Sequence, residues 1–412
     1  MNRIFVTLPP NELHKVYNSM RKILFITIAF IVSTLSVSAS SPWLKRPLRF
    51  VSPDSVLVWG YDGRDCRSIA LKCSKEAAIY PILLTQKEWN KRKRIYKEWL
   101  AMRSHINTVG GLGAIGADNN MYGIASTLTQ AMQLFRMQGD AQYTDYAERA
   151  LYNIVLHTAN DSTLVQGSME RQLAANLLFT LPGLIYATSP DNDVYVNIYT
   201  NSTASISTPN LHFTLDQITN MPLNGSVKLR FNNLRPNTPI RLHLRMPEWL
   251  NMRADCAYRF IGTDSIMPSI FVNGHEIENI KVNAKGYITI DRTWSSLDEV
   301  YLDIPLQMQH IVPKDTKKTQ QPIGVIRCNN VSWQHGPLVY HVEAPGYFML
   351  PTWHPLFENE LSASGFPIYK MMLSHGQPSA AQQKVAHASY FELLPYADGM
   401  NQINNTKSTQ TK

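Results

Sequence analysis

The feature that most constrains this chain is a change of period near residue 191. Before it, apolar residues recur every three or four positions. Leu128, Ala131, Met132, Leu134 and Phe135 lie on one helical face, and after the Gly139-Asp140 turn Ala141–Leu156 resumes the spacing at Tyr143, Ala147, Ala150, Leu151, Ile154 and Val155. Two such runs around a short turn predict an αα-hairpin. After the change, Val194–Tyr199 alternates with period two. Short runs at Ser226–Phe231, Ile240–Arg245, Ser269–Val272, Tyr287–Ile290, Val300–Ile304, Gly324–Ile326 and Leu338–Val342 follow. Asn224-Gly225, Asn273-Gly274 and Lys285-Gly286 punctuate them, as hairpin turns do. Helices first and strands afterwards exclude an alternating α/β fold and predict a helical domain followed by an antiparallel β-sandwich.

The 412 residues are enough for two or three domains. The reading places a helical domain at 40–190, the sandwich at 191–345 and an extension at 346–412 whose segment Ser389–Tyr396 returns as a strand on the sandwich. Further helices are expected over Glu88–Arg103 and Cys73–Leu84, and from Met169 to about Thr180, where Pro182-Gly183 stops the helix. The glycine-rich stretch Gly110–Gly116 lacks the Gly-Lys-Ser/Thr of a phosphate loop and reads as a close-packed turn between helices. Asn401–Lys412 is polar and expected to fray.

The net charge of +8 suggests a nucleic-acid binder until it is located. Residues 1–39 carry +3 and residues 40–110 carry +8, so the other 302 residues carry −3. The densest cluster, Lys91–Arg94, sits among Trp89, Ile95, Tyr96 and Trp99, as on the solvated face of an amphipathic helix. No nucleic-acid signature accompanies it. Residues 1–39 read as an upstream segment and a secretory signal: Met20-Arg21-Lys22, an apolar run over Ile23–Leu35, then Val37-Ser38-Ala39 as a cleavage site. That run is too short for a membrane span of about 20 residues. The mature protein is expected in the periplasm or outside the cell, where disulfides are permitted. Cys66, Cys73, Cys256 and Cys328 contain no C-x-x-C and signal no tight metal site.

Several motifs, in a shared order, resemble the β-L-arabinofuranosidase family, glycoside hydrolase family 127 and its relatives. They are Val109–Ala114, Gly139–Tyr143 with Glu148–Asn153, Gly183–Ala187, Leu244–Trp249, Val272–Gly274, Gly286–Ile290, Gln334–Tyr340 and Leu394–Tyr396. The resemblance implies an (α/α)6-barrel followed by β-sandwich domains, and hydrolysis of arabinofuranosides in plant glycans. It also implies a zinc held by a glutamate and three cysteines, one cysteine being the nucleophile, and a further glutamate as acid/base. A metal-held thiolate stays deprotonated near neutral pH, which suits that role.

Counted residue by residue, the implied chemistry has no counterpart here. The family's Glu-x-Cys falls on Asn120 and Tyr122, and its adjacent cysteines fall on Met169 and Glu170. No cysteine occurs between Cys73 and Cys256. No cofactor is therefore expected, the family's zinc site being lost. Asp118 and Glu170 are the acids at the matching places, and as catalytic substitutes they need to stand about 5–10 Å apart. The plainer reading makes them a solvated loop residue and a helix-N-terminal acid. His105 reads as a loop residue and His335 as structural. Twelve barrel helices need roughly 200–260 residues, whereas about 150 lie between Ser40 and Asp191. A partial barrel is the expectation, its open apolar face covered by a partner or by oligomerisation. The resulting expectation is a divergent, N-terminally shortened arabinofuranosidase-like protein with impaired or absent catalysis, acting on a plant glycan. A non-catalytic carbohydrate-binding or assembly module is the alternative.

Overall fold

The structure is a computed structural model, and it describes residues 41–58, 86–112, 121–155, 158, 168–250, 258–261, 267–313, 325–327, 332–342, 347–349, 356–361, 367–375 and 388–395. The chain divides at Leu44, and the fold described below belongs to Lys45–Lys412. The signal segment, the expected helix Cys73–Leu84 and all four cysteines lie outside the described residues.

Five helices are described: α1 (Gln86–Asn90), α2 (Arg92–Arg103), α3 (Met121–Gln138), α4 (Ala141–Ala150) and α5 (Met169–Ile185). The αα-hairpin is present as α3 and α4. Gly139 adopts φ +65°, the left-handed conformation that closes a helix, and the Asp140 side chain then accepts from the Gln142 N–H at 3.0 Å to start the next. Trp99 of α2 packs edge-on against Tyr143 and Tyr146 of α4 at 5.3 and 5.7 Å. The end of the hairpin relaxes into a π-helical turn over Leu151–Val155.

The stop expected at Pro182 does not occur, and α5 runs through it to Ile185. A proline inside a helix costs about 3 kcal/mol, but the last turn buries Leu184 and Ile185 almost completely. Tertiary burial outweighs local preference here.

The strands form three sheets rather than one sandwich confined to 191–345. The first has five strands, in the order β1 (Arg49–Phe50), β3 (Tyr186–Thr188), β4 (Asp193–Val196), β8 (Thr238–Arg245), β12 (Tyr287–Trp294). Its β4–β8 pair is parallel, an exception to the antiparallel expectation. The second has seven, in the order β11 (His275–Glu276), β10 (Ser269–Val272), β13 (Glu299–Asp303), β7 (Ser226–Asn232), β6 (His212–Thr219), β5 (Ser202–Ser207), β2 (Val56–Val58). Strands β1 and β2 thus come from the segment read as helical. They are two and three residues long, too short to show a period.

The apolar faces of these two sheets meet. Phe231 of β7 stacks on Trp294 of β12 with ring centroids 4.6 Å apart, and Phe213 stacks on Phe231 at 5.5 Å. A buried polar node crosses the same interface, where Tyr186 Oη and Ser202 Oγ share a hydrogen bond at 2.9 Å. The other face of the five-stranded sheet carries the helices. Tyr195 of β4 stands between Phe135 of α3 at 6.2 Å and His243 of β8, on which it stacks at 4.2 Å.

The third sheet runs β15 (Val325–Arg327), β18 (Tyr347–Met349), β20 (Pro367–His375), β21 (Ala388–Pro395), β17 (Leu338–Val342), β16 (Ser332–His335), β14 (Met308–Pro313), β9 (Tyr258–Ile261), with β19 (Leu356–Leu361) beside β20. The expected C-terminal return is real: β21 pairs with β17, Tyr340 facing Pro395. It completes this third sheet, not the two-sheet sandwich. The five described helices form a layer on the sheets, and closure into an (α/α)6-barrel is not seen among the described residues.

Candidate functional site

Among the described residues, a buried cluster of charged groups lies where α4, the end of β8 and the third sheet meet. Asp145, Glu148 and Arg149 recur at three- and four-residue spacing on α4, so they share a face. Arg245 ends β8, and Glu248 and Trp249 follow it. Arg245 is fully buried and donates to Asp145 Oδ1 at 2.5 Å, to Glu148 Oε1 and to the Asn197 carbonyl. Glu148 accepts a second hydrogen bond from Trp249 Nε1 at 3.2 Å. Arg149 donates to Glu248 Oε1 from Nε and Nη2 at 3.0 and 2.7 Å, to Gln334 Oε1 at 3.0 Å and to the Thr108 carbonyl at 2.8 Å. Its guanidinium lies over the Tyr258 ring, 4.3 Å from the centroid. Asn153 continues the connection, donating to Pro337 O and accepting from Val339 N.

Burial disfavours the charged form of both arginines, but the carboxylates of Glu148 and Asp145 around Arg245, and of Glu248 beside Arg149, outweigh it. Both guanidiniums are held above their ordinary value. A carboxylate that serves a substrate must reach it. These three are buried and engaged by arginine, tryptophan or backbone groups. The cluster is a tie that locks the helical layer to two sheets.

The glycine-rich turn packs into the same junction. Gly110 has φ +94°, and a Cβ on it would stand 3.0 Å from Ala150 N, so only glycine lets the turn approach α4. The close-packed reading of this stretch holds at Gly110; Gly113 and Gly116 lie outside the described residues.

The acids expected as catalytic substitutes are not brought together among the described residues. Glu170 lies exposed in the first turn of α5, where the helix dipole favours an acid, and Asp118 is outside the described residues. Of the positions matching the family's metal ligands, Asn120 is also outside, while Tyr122 and Met169 are about half exposed and supply no thiolate. These residues do not fit a zinc–thiolate centre. Among the described residues no group of three or more His, Cys, Asp or Glu is placed to hold a metal ion. His105 is exposed. His335 is partly buried, bonded to Tyr369 Oη at 3.2 Å, with burial lowering its pKa to about 4. A structural histidine behaves this way.

The sequence reading does not assemble this buried tie: Glu148, Arg149, Arg245 and Glu248 enter it only as parts of separate motifs, and Asp145 not at all. Its signal was a helix with acids and an arginine on an otherwise apolar face, and an arginine closing an apolar strand. An open cleft of about 380 Å³ also lies at β5 and β6, lined by Asn201, Ser202, Thr203, Asp216, Gln217 and Ile218.

A helical layer tied by buried arginines to stacked, mainly antiparallel sheets is the class of fold the described residues define. Within it, residues 193–306 match the family model of the β-L-arabinofuranosidase GH127 middle domain. A solved GH127 β-arabinofuranosidase superposes with a TM-score of 0.55 at 22% identity, over 71% of this chain and 51% of its own. A GH127 β-L-arabinofuranosidase from Geobacillus stearothermophilus T6 gives 0.56 at 18% identity, over 71% and 52%. A further glycoside hydrolase gives 0.51 at 18%, over 70% and 51%. These are likenesses of fold, and the chain spans about half the length of each structure. No curated protein matches the chain. The resemblance read from the motifs is thus shown, as that of a divergent protein. No described helix is long and apolar enough to cross a membrane.

Proposed function

We propose that this protein is a β-L-arabinofuranosidase-like protein acting on arabinose-containing plant glycans, with impaired or absent catalysis. The observation that carries the reading is the family match over residues 193–306. The shared fold of the GH127 structures supports it. The impaired catalysis rests on chemistry. At the positions of the family's thiolates and glutamate stand Asn120, Tyr122, Met169 and Glu170. An amide, a phenol or a thioether cannot serve as a zinc-bound thiolate nucleophile. Asp118 and Glu170 remain the acids available for a carboxylate mechanism.

Hydrolysis of a small arabinofuranoside, with and without added zinc, tests this. The expected result is no zinc-dependent turnover. Zinc-dependent turnover overturns the residue matching. Should zinc-independent turnover occur, Asp118→Asn and Glu170→Gln must abolish it, or the carboxylate pair is wrong. We further propose export by the Met20–Ala39 signal; N-terminal sequencing of the exported protein should find a start near Ser40.

A further inference from the structure

We infer that the outer face of the seven-stranded sheet is a binding platform for a neutral oligosaccharide. The inference rests on the proposed glycan-acting reading for its sugar class, and on the geometry below for its place.

Two rows of side chains run across this face in register. The first is apolar: Tyr301 of β13 faces Lys228 of β7, which faces Ile218 of β6. Phe271 of β10 flanks Tyr301 on the other side, with ring centroids 6.1 Å apart. Tyr301 is 39% exposed and Ile218 59% exposed. The lysine contributes its alkyl stem to the row while its ammonium reaches Glu299 at 2.8 Å.

The second row lies two residues along each strand and is polar. Glu299 faces Arg230, Arg230 faces Asp216, and Asp216 faces Thr203. Asp216 is held in place by Thr203 Oγ1 at 2.7 Å and by Asn232 Nδ2 at 2.6 Å. This row ends in the open cleft of about 380 Å³, which Asn201 and Ile218 also line.

An apolar row beside a hydrogen-bonding row matches the two aspects of a sugar ring, its C–H face and its hydroxyl rim. The aromatic ring supplies area at low entropic cost, and the fixed polar groups supply orientation. Strands β13, β7, β6 and β5 are three spacings apart end to end, about 14 Å at ~4.8 Å each, so the strip suits several linked sugars rather than one.

Charge selects a neutral ligand. Lys228 and Arg230 are matched by Glu299 and Asp216. Asp303 and Glu276, both exposed, add negative charge at the edge. A polyanion meets no net attraction here, and the two carboxylates within the rows, Glu299 and Asp216, are already engaged.

The experiment is calorimetric titration of the full chain with arabinohexaose, xylohexaose and a polygalacturonate oligomer. Arabinohexaose is expected to bind, polygalacturonate to bind more weakly or not at all, and Tyr301→Ala to weaken binding about tenfold, equivalent to about 1.4 kcal/mol. Tyr301→Phe keeps the ring and should stay within about threefold of the parent. Tyr301 is exposed, so the melting temperature is the control for folding in both variants. The platform is overturned if no neutral oligosaccharide binds, if Tyr301→Ala binds like the parent, or if polygalacturonate binds best. Xylohexaose binding alone, lost in Tyr301→Ala, keeps the platform and removes arabinose as its sugar. Hydrolysis of a small arabinofuranoside, measured in parallel, reports on the catalytic reading independently.

Discussion

The junction around Arg245 and the outer face of the seven-stranded sheet are both built from arginines or lysines set against carboxylates, yet the same chemistry does different work in each. At the junction, Arg245 is fully buried and its Asp145 and Glu148 partners are almost so. On the sheet face, Lys228 and Glu299 are each more than a third exposed. Water screens the second set and leaves it adaptable, whereas the first is locked by the cost of leaving any member unpaired. Buried ionic groups here make architecture, and exposed ones make a surface.

The sharpest way to break that contrast is Arg245→Ala. It strands Asp145 and Glu148 in the interior and should cost about 3–5 kcal/mol in denaturant unfolding. A loss under about 1 kcal/mol means the junction is wetter than described.

Acid should act next. His310 is 2% exposed, neither ring nitrogen has a hydrogen-bond partner among the described residues, and burial lowers its pKa to about 4. His335 is lowered to about 4 by the same cause. In the unfolded chain both bind a proton near pH 6.5. The unfolded state therefore gains protons first as pH falls. Stability is full above about pH 6.5 and declines until pH approaches 4, by as much as about 3 kcal/mol for each histidine. His310→Leu should flatten the acid side of the stability curve. It should leave pH 7 stability unchanged or raise it, since it removes two unpaired buried groups. An unchanged acid slope refutes the assignment to His310.

The seven-stranded sheet has its own rigid point. A Cβ on Gly225 would lie 1.6 Å from the Ile304 carbonyl oxygen, which backbone alone must absorb. Gly225→Ala should cost about 1–3 kcal/mol, measured by thermal melting. A neutral result would show that the turn yields freely. Smallest is Arg46→Ala, which removes an ion pair to Asp191 whose members are both 60% exposed. It should change stability by less than about 1 kcal/mol, and less still in high salt. A large effect there would erase the contrast between exposed and buried pairs.

Regular elements were legible where a period was long enough. The hairpin of α3 and α4, and strands β7, β10 and β17, follow from spacing alone. Strand β5, Ser-Thr-Ala-Ser-Ile-Ser, and strand β6, with Thr, Asp and Gln among its apolar residues, were not read as strands. Their polar residues lie on both faces, Thr203, Ser205 and Asp216 outward and Ser202 and Gln217 in the buried node, and a search for apolar runs passes over them. Asn224-Gly225 was read correctly as a turn, but its glycine is required by the distant Ile304, which no local pattern contains.

The sequence by itself determined the change from helical to strand period near residue 191, the family resemblance, and the absence of thiolates at the family's metal positions. These depend on residue type and spacing. Only the tertiary structure decided that β1 and β2 complete the first two sheets and that β4 lies parallel to β8. It also decided that Pro182 stays inside a helix, and that Asp145, Glu148, Arg149, Arg245 and Glu248 form one buried tie. Each of those outcomes balances burial against local preference, across residues up to 148 positions apart where Val56 pairs with Ala204. That balance exists only once the layers have met.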